Sequence, residues 1–233
     1  MARVSKGFDE RLAEFLTTAQ QMFMTKGYEQ TSINDIIDQM GVAKGTFYHY
    51  FKSKEELLEK LAEQFAKQTL DKLNTVIQTE ELSAIEKLNR FFSEVWDLKV
   101  ENRDLMVLFM KVMYSDENLR YRYKMFKTSA QLVQPELNKI IAQGVAEGIL
   151  DPASGEDTPL MIFSMGTYIS ESMVDLLREL EQKPENGEKI ERMWVEYQKG
   201  IERLLGAREG SFTFAIGRDF SAFKMEVEEK QNE

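Results

Sequence analysis

The chain has no cysteine, one histidine and four prolines in 233 residues. Without cysteine there is no disulfide frame, no thiolate nucleophile and no zinc–cysteine site. A lone imidazole leaves a transition metal short of nitrogen and sulfur ligands, so no metal and no cofactor is expected. One histidine also completes no Ser-His-Asp set, and no glycine-rich phosphate loop is present. The many Asp/Glu pairs fall on the polar faces of helices, so catalysis is not expected. No apolar run reaches the ~18–20 residues a membrane span requires, and the opening MARVSKGFDERL lacks the apolar core of a signal peptide. The expected location is cytoplasmic.

What is present is helical and acidic. Hydrophobic residues make up 42% and charged residues 30%, with a net charge of −10, which places the chain among globular proteins. The charge is uneven. Residues 1–54 carry seven Lys/Arg and six Asp/Glu, a net +1, so all of the negative excess lies beyond them. An acidic body with a near-neutral end confines any contact with a polyanion to that end.

Apolar residues recur at helical spacing almost throughout. Phe8, Leu12, Phe15, Leu16, Ala19 and Phe23 form one stripe that stops at Lys26 and Gly27, a basic last turn followed by a glycine. Ser32 with Asp35 three residues later reads as a capping box opening a short helix, Ile33 to Met40. Gly41 ends that helix, and a second short one is predicted from Lys44 to Tyr50. Ser53 and Glu56 cap a fourth, reaching about Thr75. Further helices are predicted over Ser83–Lys99, Asn102–Tyr114, Asp116–Gln131, Pro135–Gly148, Asp157–Leu180 and Glu188–Leu205. In the tail, Phe212, Phe214 and Ile216 alternate like a short strand. Phe220, Phe223 and Val227 then follow at helical spacing.

Two short helices joined by a glycine-containing turn and buttressed by a longer one are the sequence form of a helix-turn-helix. The second short helix must enter a major groove ≈12 Å wide, so one face needs small or hydrogen-bonding groups and the other must anchor a small core. Phe47 and Phe51, four apart, suit the core. Lys44, Thr46, Tyr48 and His49 fall mostly elsewhere.

The run TSINDIIDQMGVAKGTFYHYFKSKEELLEKL resembles the DNA-binding domain of TetR-family transcriptional regulators, and the likeness extends over about residues 8–68. The resemblance implies an all-α fold. An N-terminal three-helix helix-turn-helix domain (8–68, motif about 32–51) is joined by a fourth helix to a larger helical ligand-binding and dimerisation domain (69–207). A C-terminal extension (208–233) follows. By position it implies that Thr31 and Ser32 meet a phosphate, that Lys44, Gly45, Thr46, Tyr48 and His49 lie at the groove, and that Tyr50 and Lys54 reach flanking phosphates.

The same resemblance implies a homodimer on a palindromic double-stranded DNA operator, joined through the last two long helices. Phe163, Met173, Val174, Leu177, Met193, Trp194, Tyr197 and Ile201 are the candidate interface, with Gly166 and Ser170 permitting close approach. Methionine and aromatic residues crowd the middle helices, which suits a pocket for a small apolar or aromatic effector. Trp96, Phe109, Met113, Tyr114, Met165 and Tyr168 are its candidate lining. The expected function is a repressor released by that effector. The alternative is a DNA-bound regulator without one, controlled by a protein partner or acting as an architectural or division factor, with the phenylalanine-bearing tail as its docking element.

Overall fold

The computed structural model describes residues 7–115, 118–153 and 155–225, and over these it is helical, with no strand. The first four helices are α1 (Phe8–Lys26), α2 (Ile33–Met40), α3 (Lys44–Tyr50) and α4 (Lys54–Ile77). The remainder are α5 (Ala84–Glu101), α6 (Arg103–Met113), α7 (Leu119–Ala146), α8 (Thr158–Arg178) and α9 (Asn186–Leu204). Side-chain caps set three of the starts. Ser32 accepts from the Asp35 amide while Asp35 takes the Ser32 amide, and Ser83 and Glu86 repeat the arrangement on α5. Ser53 accepts from Glu56 at the start of α4. Gly41 closes α2 in the left-handed region (φ 62°, ψ 37°), where a residue with a Cβ is strained.

The N-terminal helices are held by three rings. Phe15 of α1 meets Phe47 and Phe51 edge-on at 5.8 and 5.6 Å, and the latter two lie 5.3 Å apart. All three are essentially inaccessible, so Phe47 and Phe51 anchor α3 as their spacing predicts. This core does not stop at the headpiece. Leu105, Leu108, Phe109, Val112 and Met113 of α6 belong to it, and α4 runs unbroken through residues 68 and 69.

Beyond it, α4 packs along α7 and α5, and α8 pairs with α9. Tyr197 of α9 lies over Gly166 of α8 and donates its hydroxyl to the Ile162 carbonyl at 3.2 Å. A Cβ at Gly166 would stand 2.7 Å from that hydroxyl. Gly166 therefore serves the packing of two helices of the same chain.

Two expectations are corrected. The helices read as Asp116–Gln131 and Pro135–Gly148 are one helix, α7, with Pro135 inside it (Asp116 lies outside the described residues). Pro135 costs one amide bond, but Val133, Leu137, Ile140 and Ile141 are buried on either side of it. Burial of that stripe outweighs the lost bond. The second correction concerns the tail. Phe212 and Phe214 are buried but Ile216 is 67% exposed, and no strand forms among the described residues. The backbone instead bonds to side chains. Gln198 donates to the Phe212 carbonyl at 2.7 Å and accepts from the Ala215 amide at 2.9 Å. Glu202 accepts from the Phe212 amide, and Asn89 brackets Ser211 and Thr213. Phe220–Phe223 then make a 3₁₀ turn, and Val227 lies outside the described residues.

Candidate DNA-binding face and interior cavity

The turn at Gly41 sets α3 against α1 with one face outward. Lys44, Gly45, Tyr48 and His49 are exposed and Thr46 is half-buried. Tyr48 keeps about half of its surface open, at 49%. Phe8, at the start of α1, stacks on Tyr50 at 4.6 Å and takes the edge of His49 at 6.0 Å, which fixes the end of α3. This face combines hydroxyl, imidazole and ammonium groups with a backbone left bare at Gly45.

Three residues named for phosphate contact have hydrogen-bond partners inside the headpiece. Thr31 is fully buried and donates its hydroxyl to the Gly27 carbonyl at 2.7 Å, because that turn must be closed before α2 begins. Both the amide and the hydroxyl of Ser32 donate to Asp35 Oδ2, at 2.8 and 2.9 Å. Asp35 also takes Lys26 Nζ at 2.7 Å. That bond, with those from Ser32, holds its carboxyl at a pKa of about 2. Lys54 Nζ donates to the Tyr28 carbonyl at 2.7 Å and lies 4.0 Å over the Tyr28 ring.

Between α4, α5, α6, α7, α8 and α9 lies a cavity of about 370 Å³. Of the lining expected from sequence, Trp96, Phe109 and Tyr114 face it. Met113 is buried in the headpiece core, the Met165 methyl lies against Gly200, and Tyr168 is 71% exposed. Period and composition mark these last three as apolar helix residues without saying which side of the helix the cavity is on.

Sequence reasoning missed both cations in the wall, Lys99 and Arg122, and the tail rings Phe220 and Phe223. Phe220 and Phe223 pack against Trp96 at 4.8 and 5.5 Å, so the extension forms one side of the cavity. Arg122 is engaged, donating to Glu171 at 2.8 Å and lying 5.0 Å from the Tyr114 ring. Burial raises the Tyr114 pKa, and the Arg122 charge opposes that rise. Lys99 makes no hydrogen bond or ion pair with any described residue. Desolvation pulls its pKa below the ordinary lysine value, and the half-buried side chain is part of the cavity wall. A signal for it existed: Lys99 continues the apolar stripe of Phe92, Val95 and Trp96.

The side chains proposed for a subunit interface are largely spent inside the chain. Met173, Val174, Leu177, Tyr197 and Ile201 are buried in its own cores. Phe163 and Trp194 line the cavity, and Met193 packs on the α8–α9 core. A stripe of period three to four reports burial and not the identity of the covering chain. The outward face of α8 instead carries Leu160, Met161 and Tyr168, all exposed.

Residues 15–61 match the bacterial regulatory proteins of the tetR family. The transcriptional repressor KstR2 of Mycolicibacterium smegmatis is 28% identical over 164 residues, covering 69% of this chain and 77% of that protein. KstR2 of Mycobacterium tuberculosis H37Rv is 25% identical over 174 residues, covering 73% and 84%. A transcriptional regulator from Cytophaga hutchinsonii shares the fold with a TM-score of 0.63 at 15% identity, over 84% of this chain and all of that one. So does Thermus thermophilus FadR, a TetR-family repressor solved with lauroyl-CoA (TM-score 0.60, 16% identity, 82% and 94% covered). No helix among the described residues is long and apolar enough to cross a membrane. With the helix-turn-helix string and the exposed face of α3, residues 15–61 form a DNA-binding domain of the tetR family of bacterial regulatory proteins, and the chain is similar over most of its length to transcriptional repressors.

Proposed function

We propose that this regulator is a homodimeric repressor that reads a palindromic operator with α3 and is released when a small apolar effector fills the interior cavity. The observation that carries the reading is the double membership of Phe109. It lines the cavity and also belongs to the buried core that holds Phe15, Phe47 and Leu57. A ligand that shifts α6 therefore acts on the packing that orients α3. The effector lowers DNA affinity only by its differential affinity for the two arrangements.

The reading assigns base-edge contacts to Lys44, Gly45, Thr46, Tyr48 and His49. Phosphate contact falls to Lys44 and Tyr50, since the donors of Thr31, Ser32 and Lys54 have internal partners. Dimerisation through the outer face of α8 accounts for Leu160, Met161 and Tyr168, which otherwise leave apolar surface in water. Repression accords with the names of the KstR2 relatives, and an apolar effector accords with the lauroyl chain bound by FadR. The described part of the tail packs on its own chain, which removes the feature that favoured a protein partner instead.

Selection of bound sequences from random duplex DNA tests the reading. Recovered sites should be two-fold symmetric, with half-sites one helical turn (≈34 Å) or a multiple of it apart. Tyr48→Ala should abolish enrichment while leaving the fold intact. Asymmetric sites of single half-site length would overturn the dimeric reading.

A further inference from the structure

We infer that the cavity is built for an apolar carboxylate whose head group pairs with Lys99. The inference rests on the reading of the cavity as the effector site and specifies the chemistry that site accepts.

The wall is asymmetric in charge. It holds two cations, Lys99 and Arg122, and no Asp, Glu, Asn or Gln among the described residues, inside a chain whose net charge is −10. Arg122 is already satisfied by Glu171 and the Tyr114 ring. The Thr69 and Thr167 hydroxyls donate to carbonyls of their own helices, Phe65 and Phe163, at 3.1 and 3.0 Å. Among the described residues, Lys99 is left with three donors and no acceptor. A second donor in the same wall, the indole N–H of Trp194, is buried and also lacks an acceptor among the described residues.

Lys99 is half-buried, and an ammonium set among apolar walls without a counter-ion is only partly solvated, which costs stability unless something binds it. A neutral apolar ligand would fill the volume and leave that cost in place. A cationic ligand would raise it. An anion offering oxygen acceptors removes it, and apolar walls around the head group select a hydrocarbon tail. A volume of about 370 Å³ sits at the small end for ligand sites, which favours a free acid over a nucleotide-bearing thioester.

Both tryptophans of the chain, Trp96 and Trp194, line the cavity, so intrinsic fluorescence reports its filling directly. The probes are decanoate, decanol, decylamine and decanoyl-CoA, titrated into the full-length protein. Decanoate should bind at least about tenfold more tightly than decanol, as befits one charge-assisted bond. Decylamine should bind more weakly than decanol. Lys99→Met, which keeps the stem and removes the charge, should erase the preference for decanoate while decanol affinity stays within about twofold. Lys99→Arg should keep the preference. Decanol binding as tightly as decanoate, a preference surviving in Lys99→Met, or tighter binding of decanoyl-CoA would each overturn the carboxylate assignment and leave the effector site standing. Unchanged fluorescence with every probe would overturn both.

Discussion

Lys54 Nζ donates to the carbonyl of Tyr28 at 2.7 Å and lies 4.0 Å above the ring of the same residue. The pair ties the first turn of α4 to the loop between α1 and α2. The contact braces the headpiece through a lysine that the family pattern assigns to a phosphate.

Lys54→Ala should cost about 1–2 kcal/mol of stability through loss of a charged hydrogen bond and a cation–π contact. It should leave the salt dependence of DNA binding nearly unchanged. Lys44→Ala should do the reverse, lowering the slope of log K against log salt by about 1 with no change in unfolding midpoint. Urea titration together with binding at three salt concentrations separates the two. A reduced slope in Lys54→Ala without loss of stability would show that the brace is not its role.

Asp35 gives the headpiece a defined acid sensitivity. Its carboxyl, bonded by Lys26 and Ser32, has a pKa of about 2 in the folded chain, below the ≈3.9 of an unfolded aspartate. A depressed pKa contributes stability that is complete above the unfolded value and is lost as pH falls towards the folded one. The melting-temperature gap between wild type and Asp35→Asn should therefore be constant above about pH 5 and shrink between about 4 and 2. A gap that held steady down to pH 2 would contradict the capping role.

Gly166 should tolerate no side chain. A Cβ there would stand 2.7 Å from the Tyr197 hydroxyl and 3.2 Å from its ring carbon. Gly166→Ala should displace Tyr197, break its bond to Ile162 and cost about 1–3 kcal/mol. Pairing it with Tyr197→Phe, which removes the hydroxyl first, should shrink the penalty. Additive losses in the double variant would mean that the two residues do not meet.

In the tail, burial and not alternation should govern stability. Phe212→Ala removes a fully enclosed ring and should cost about 3–5 kcal/mol. Ile216→Ala, two positions past Phe214, should change stability by no more than about 0.5 kcal/mol. Equal effects from the two would restore the strand-like reading of this segment.

The headpiece was the most legible part of the chain because its determinants are local. Ser32 with Asp35, Gly41, and Phe47 with Phe51 act over a few residues, so sequence spacing and structure carry the same information. Pro135 misled because a local rule for ending helices competes with burial of residues on both sides of it, which no short window weighs. The cavity lining was half legible. Trp96, Phe109 and Tyr114 share with Met113, Met165 and Tyr168 the same composition and period, and only packing against distant helices separates them. Lys99 went unread because a lysine near a helix C-terminus has an ordinary explanation in the helix dipole. Phe220 and Phe223 were legible as rings at helical spacing but not as cavity wall, since their partner Trp96 lies far back in the sequence.

The fastening of the tail also sets an order of events in time. Asn89 meets Ser211 across 122 residues and Ser93 meets Arg218 across 125, whereas α1, α2 and α3 close on one another within the first stretch of chain. During synthesis the N-terminal helices emerge first, and contacts of long sequence separation form late. The cavity is therefore finished only when residues as late as Phe223 have emerged. A nascent or prematurely terminated polypeptide ending before Phe212 would carry α3 with its exposed face and lack the part of the cavity wall made by Phe220 and Phe223.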